Sequence, residues 1–147
     1  MIIKSYHPDN QQAVIDLWQS CNLVVAWNDP LKDIQRKLLV DPDLFLIGEI
    51  SGGIASGMSG EIVATVMGGY EGHRGWINYL AVSPEHQRKG YARAMMEQVE
   101  GLIQNKGCPK INLQVRSSNA DVIKFYQAIG YDVENAVGLG KRLIPDD

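Results

Sequence analysis

The stretch that most restricts the fold is "LAVSPEHQRKGYARAMMEQVEGLI", residues 80 to 103, in which a strand-like end, a basic turn with one glycine and a helical pattern follow without a linker. Ala92, Met95, Met96, Val99, Leu102 and Ile103 lie on one helical face, so this helix must dock on a sheet. The amides of Arg88 to Ala92 open the helix and have no carbonyl partners inside it. Together with the positive end of the helix dipole they form a donor set for an anion. Gly90 and the small Ala92 leave that backbone approachable, and Arg88, Lys89 and Arg93 attract negative charge from further away. Cations at a helix N-terminus cost about a few tenths of a kcal/mol each when nothing binds there. That penalty asks for an anion, although a solvated basic first turn is the other reading of the same residues. Two familiar phosphate loops are excluded: "RKGYA" places its lysine before the glycine, unlike a P-loop, and the three glycines of a dinucleotide turn are missing.

The rest of the chain is acidic. Fourteen Lys and Arg against 17 Asp and Glu give a net charge of -3, so the basic turn suits a small anionic ligand and not a nucleic acid. With 147 residues, 45% of them hydrophobic, residues 1–147 form one domain able to bury a core. Cys21 and Cys108 lack CxxC spacing, which reads as reduced thiols in a cytoplasmic protein and offers no metal site. The opening "MIIKSYHPDN" turns polar too early for a signal peptide, and no apolar run reaches the roughly 18 residues of a membrane span. A soluble protein without a membrane partner is the expectation.

The flanking segments can be placed by pattern. "MIIKSY" reads as a strand, followed by a helix capped at Asp9 with Val14, Leu17, Trp18 and Cys21 at helical spacing. Asp29 before Pro30 starts a second helix. "LFLIGEI" and "EIVATVMGGY" read as strands joined by the Gly- and Ser-rich 51–60 segment, a long hairpin tip. "GWINYLAV", the helix after Gly90, "KINLQVR", a helix from Asn119 to Ala128, and the closing strands "YDVENAV" and "GLGKRLI" complete the pattern. The order is β-α-α-β-β-β-α-β-α-β-β, a mixed α/β layout.

The glycine turn, Gln87, Arg88, Lys89, Gly90, Tyr91, Ala92, resembles the Q/R-x-x-G-x-G/A acetyl-CoA signature of the GCN5-related N-acetyltransferase (GNAT) family. A second stretch, "NLQVRSSNADVIKFYQAIGY", is similar to that family's later signature, with Asn119, Tyr126 and Gly130-Tyr131 in place. The two together span Trp76 to Asp132. The resemblance implies a GNAT-like mixed sheet of about six to seven strands with splayed central strands, and acetyl-CoA as co-substrate. It implies that Leu80, Ala81 and Val82 hydrogen-bond the pantetheine arm and that the turn from Gln87 to Arg93 takes the pyrophosphate on its amides. Asn119 would contact the arm, Phe125 would pack beside it, and Tyr126 would protonate the departing thiolate. Each has a plainer reading: Asn119 as a helix cap, Tyr126 as a packing ring, Gly130 as a C-cap glycine.

The pattern leaves the base and the acceptor open. Family members that acetylate protein N-termini carry a glutamate five residues before the asparagine, and Gln114, which cannot be a base, stands there. Glu71 and His73 in "YEGHRG" are the candidates, Glu71 first, unless they lie on a solvated rim. Trp27 and Asp29, joined by Tyr70, could hold an amine, or Asp29 and Trp27 could serve only as cap and apolar staple. Neither cysteine reads as a nucleophile, so the resemblance implies direct attack by the primary amine of a small molecule or peptide. The rival is an acetyl-CoA-binding regulatory module without turnover, motivated by Gln114. Exposed edges on the two closing strands suggest a homodimer.

Overall fold

The computed structural model describes residues 1–51 and 60–146. The hairpin tip expected at 51–60 therefore lies almost wholly outside the described residues. Strands β1 (Ile2–Ser5), β2 (Phe45–Ile50), β3 (Glu61–Tyr70), β4 (Gly75–Val82) and β5 (Ile111–Asn112) form one sheet in that order. The first four are antiparallel neighbours, while β5 runs parallel to β4. Helices α1 (Gln11–Ser20) and α2 (Pro30–Lys37) cover one face, and α3 (Tyr91–Asn105) and α4 (Ala120–Ala128) the other.

Each face has its own core. Val14, Leu17 and Trp18 of α1 and Ile34 of α2 pack on Phe45, Ile47, Met67 and Ala81. Met95, Met96, Val99 and Ile103, the predicted stripe of α3, pack on Leu44, Leu46, Val66 and Ile77. α3 comes close to β3 because residue 68 is glycine: a Cβ there would lie 2.6 Å from Val99 Cγ2. α1 begins later than expected. Pro8 opens a short 3₁₀ turn capped by His7, whose Nδ1 accepts from the Asp9 amide at 3.1 Å, and Asn10, not Asp9, holds the N-cap position of α1. α2 begins as expected, with Asp29 Oδ1 accepting from Leu31 N at 2.9 Å and Lys32 N at 3.2 Å.

Two expectations about strands need correction. The predicted strand "KINLQVR" pairs with β4 only at Ile111 and Asn112, and the closing segments "YDVENAV" and "GLGKRLI" form no strand, so the described sheet has five strands and not six or seven. A strand needs a partner to satisfy its backbone, and alternation in sequence cannot supply one. β4 and β5 diverge after their first pairs, which leaves Leu113 to Arg116 alone. The tail beyond Tyr131 is irregular and exposes Val137 and Leu139 at 88% and 94%. The strand edges that suggested a homodimer are not there. Among the described residues no helix is long and apolar enough to cross a membrane.

Candidate active site

The site is built around the divergence of β4 from β5. Gly75 pairs with Ile111 and Trp76 with Asn112, and no pair follows. On its other side β4 carries a bulge: Thr65 faces Ala81 and Met67 faces Asn78, so Val66 alone opposes Tyr79 and Leu80. Tyr79 sits at φ +51°, in the left-handed region. The bulge is fixed from behind: buried Thr65 donates its hydroxyl to the Tyr79 carbonyl at 2.9 Å and accepts from Trp18 Nε1 at 2.9 Å. Trp18 also stacks on the Tyr79 ring at 3.8 Å. Leu80, Ala81 and Val82 thus have no paired strand on their β5 side among the described residues. One group there is engaged, since the Val82 carbonyl accepts from Cys21 Sγ at 3.3 Å and Gln87 Nε2 at 3.4 Å.

The basic turn follows directly. Gly90 is the N-cap of α3 at φ +81°, ψ 11°, and Arg88 is also left-handed at φ +64°. Alternating left-handed residues turn successive amides toward one side, the geometry of an anion nest. The first backbone bond of the helix runs from Ala94 N to the Gly90 carbonyl at 3.1 Å, and among the described residues the amides of Gln87 to Arg93 donate to no backbone carbonyl. A Cβ on Gly90 would meet nothing within 4 Å, so the space beside this glycine is open. Arg88, Lys89 and Arg93 are exposed around it; Lys89 Nζ lies 3.1 Å from His86 Nδ1, and Arg93 pairs with Glu97 at 3.2 Å.

From α4 come the second signature's residues. Asn119 holds the N-cap position but makes no capping bond with its side chain, so the cap reading does not account for that amide. Tyr126 is buried, with its ring edge-on to Phe125 at 5.2 Å and Tyr131 at 5.6 Å. The two neighbouring phenols differ. Tyr131 donates to Glu100 Oε2 at 2.5 Å, whereas no hydrogen bond is made by the Tyr126 hydroxyl among the described residues, and burial alone pushes its pKa up to about 12. Gly130, at φ +105°, is the C-cap glycine expected after this helix.

A turn of free amides, a strand pair that parts and a phenol on α4 are the parts of this candidate site. The description "Acetyltransferase (GNAT) family" matches residues 11–131. An acetyltransferase of Pectobacterium atrosepticum is 46% identical over 146 residues, covering 99% of this chain and 98% of that one. The chain belongs to the GNAT acetyltransferase family. Membership implies acetyl transfer from acetyl-CoA. In fold, this GNAT chain is similar to Ard1 from Thermoplasma volcanium (TM-score 0.74, 20% identity, 90% of this chain and 83% of that one). It is also similar to an aminoglycoside antibiotic 6'-N-acetyltransferase from Acinetobacter haemolyticus (TM-score 0.71, 16% identity, 98% and 100%).

Other expected residues of this GNAT domain lie elsewhere. Glu71 sits in the β3–β4 turn, where its Oε1 accepts from the His73 amide at 2.8 Å and from the Arg74 amide. Those bonds, Arg74's first, lower its pKa. Tyr70 belongs to the same turn, its hydroxyl donating to the Gly72 carbonyl at 3.1 Å. This turn adjoins the paired end of β4. Five residues of strand, roughly 16 Å at 3.3 Å per residue, separate Gly75 from Leu80, so Glu71 and Tyr70 are not brought to the opening. Trp27 and Asp29 are closer to it: the Trp27 ring lies 5.8 Å under the guanidinium of Arg116, on the β5 arm of the splay.

Sequence reasoning missed the wall beside Trp27. Tyr79 donates to Asp33 Oδ2 at 2.6 Å, Arg36 bridges Asp33 at 3.3 Å and Asp146 at 2.7 Å, and the Asp29 amide donates to Asp146 Oδ2 at 3.2 Å. The chain of bonds joins the β4 bulge, α2, the α1–α2 loop and the tail, segments 117 residues apart at the extreme. Arg116 had a signal, lying just before Asn119. The Arg36–Asp146 pair had none, because nothing local in sequence marks partners 110 residues apart.

Proposed function

We propose that this chain transfers the acetyl group of acetyl-CoA to a primary amine by direct attack, with the diphosphate on the amides of Arg88 to Arg93, the pantetheine arm along Leu80 to Val82, and the Tyr126 hydroxyl facing the leaving sulfur. The observation that carries this reading is the Tyr126 phenol: its ring is packed in the α3–α4 core, yet its hydroxyl makes no hydrogen bond among the described residues and is not sealed off, as the orphaned Tyr6 hydroxyl is, while the neighbouring Tyr131 is bonded to Glu100. As the new N–C bond forms and the C–S bond breaks, negative charge grows on sulfur. A thiol near 8.5 is a stronger acid than a phenol near 12, so complete proton transfer from Tyr126 is uphill by roughly 5 kcal/mol. The phenol therefore acts by hydrogen-bonding the developing thiolate, with solvent restoring the proton balance.

Gln114 stands at the place of the relatives' glutamate and Glu71 is held in its turn by the His73 and Arg74 amides; in this reading the amine reaches the thioester already neutral, losing its proton to water. The test is release of CoA thiol from acetyl-CoA with a panel of amines, for the wild type and Tyr126→Phe. A hydrogen bond to a charged group is worth about 1.5–3 kcal/mol, so turnover should fall about 10- to 100-fold while acetyl-CoA affinity stays within a few-fold. Because the phenol sits near 12, the wild-type profile should show no alkaline limb from it below about pH 11. Unchanged turnover with chemistry rate-limiting would leave Tyr126 as a packing residue. A second reading, a binding module without turnover, is favoured by Gln114 alone; it predicts tight acetyl-CoA binding and no thiol release with any amine.

A further inference from the structure

We infer that the acceptor amine also bears a carboxylate, held by Arg116 and Arg142 over the face of Trp27. This rests on the acetyl-transfer reading above and concerns the acceptor side of the same site. A cavity of about 270 Å³ is lined by Ala26, Trp27, Arg142, Pro145 and Asp146. Both arms of the splay reach it. The β5 arm does so through Arg116 stacked on Trp27, and the β4 arm through Tyr79, Asp33, Arg36 and Asp146. An amine bound here would approach the thioester from the side of the sheet opposite Tyr126, since Tyr79 packs with the α1–α2 core and Tyr126 with the α3–α4 core.

The charge left over on this wall decides the ligand. Every carboxylate of the wall is spent inside the protein. Asp29 caps α2 with two amides; Asp33 accepts from Tyr79 and Arg36. Asp146, its side chain only 1% exposed, takes both guanidinium nitrogens of Arg36 and the Asp29 amide. Arg142, in the cavity lining, and Arg116, stacked on the lining residue Trp27, are not spent on carboxylates among the described residues. Among the described residues Arg142 donates to neutral oxygens, Asn28 Oδ1 at 2.8 Å and the Ile144 carbonyl at 3.4 Å. Arg116 makes no ion pair among the described residues and rests on the indole. Trp27 keeps 54% of its surface exposed, leaving apolar area for the body of a ligand. Two guanidinium forks without carboxylates, beside an aromatic face, fit a planar anion with an apolar stem. They repel a polycation. An amino acid or a peptide with a free C-terminus has the required groups.

The experiment measures CoA thiol release from acetyl-CoA with three sets of acceptors: free amino acids and dipeptides, their C-terminal carboxamides, and the polycations kanamycin and spermidine. Carboxylate acceptors should be preferred over the matching carboxamides about 10- to 100-fold in kcat/KM, chiefly through KM. Arg116→Gln with Arg142→Gln should abolish that preference while leaving acetyl-CoA affinity within two-fold. Both side chains are exposed, so equal melting temperatures verify the fold. Carboxamides or polycations used as well as carboxylates would overturn the inference and leave acetyl transfer intact. If no acceptor releases thiol, N-acetyl amino acids and their amides are compared by thermal shift with CoA present. Carboxylate-selective binding that the arginine pair controls then upholds the pocket and refutes transfer; its absence refutes the pocket.

Discussion

Replacing Gly90 by valine separates the turn's structural role from its ligand role. At φ +81° an L-residue is strained, and the left-handed conformation costs about 1–2 kcal/mol, somewhat more for a β-branched side chain. No steric clash adds to this, because a Cβ at residue 90 meets no heavy atom within 4 Å. For a chain of this size that strain lowers Tm by about 2 to 8 °C. Binding should suffer more. The side chain occupies the open space at residue 90 beside the amides proposed to take the diphosphate, and charge-assisted hydrogen bonds are worth about 1.5–3 kcal/mol each. Losing two weakens acetyl-CoA binding by about 10²- to 10⁴-fold. Gly90→Asn is the companion variant: asparagine tolerates the left-handed region, so the melting point should recover while the affinity stays low. Calorimetric titration with acetyl-CoA and thermal melts of the free protein read both quantities on one preparation. An affinity within three-fold of wild type, alongside a lowered Tm, would mean that the glycine serves the turn alone and that the diphosphate binds elsewhere.

Two further outcomes test the wall behind the site. Thr65→Val keeps shape but strips the buried Trp18 indole and the Tyr79 carbonyl of their shared partner, which should cost about 2 to 4 kcal/mol; denaturant melts showing less than about 0.5 kcal/mol would contradict the role given to Thr65 in holding the bulge. The Asp146 carboxyl is held down to about 2, first by Arg36 and then by the Asp29 amide. Its folded pKa lies below the ordinary 3.9, so its stabilisation is present above about pH 4 and disappears as pH falls toward 2. The Tm gap between wild type and Asp146→Asn should be full at pH 6 and close across that window, and a gap independent of pH would refute an electrostatic latch.

Much of the cofactor side could be read from sequence because its determinants are local. Gly90, the basic neighbours and the helical stripe lie within about one stretch of chain, and a helix satisfies its own backbone, so its pattern forecasts its structure. The same holds for Asp29, whose cap depends on the next three residues. Asn119 and Tyr126 were legible as members of a motif on one helix, seven positions apart.

What depended on partners was not legible. The closing strands alternate convincingly yet find no neighbour, and β5 shrinks to two residues because β4 bends away from it. Beyond that point β4 carries a bulge at Tyr79, held by Thr65 and Trp18, which the sequence separates by 47 positions. Sequence left Glu71 either near the acceptor or on a solvated rim, and the length of β4 puts its turn at the paired end of the strands. Sequence by itself determined the secondary elements whose hydrogen bonds close within a few residues, and through them the anion turn. Only the tertiary structure decided that Tyr131 is bonded while Tyr126 is not, where the strands part, and which charges remain unpaired around Trp27 among the described residues. Each of those outcomes depends on groups from distant segments satisfying one another, and a hydrogen-bond partner 50 or 100 residues away leaves no periodicity to read.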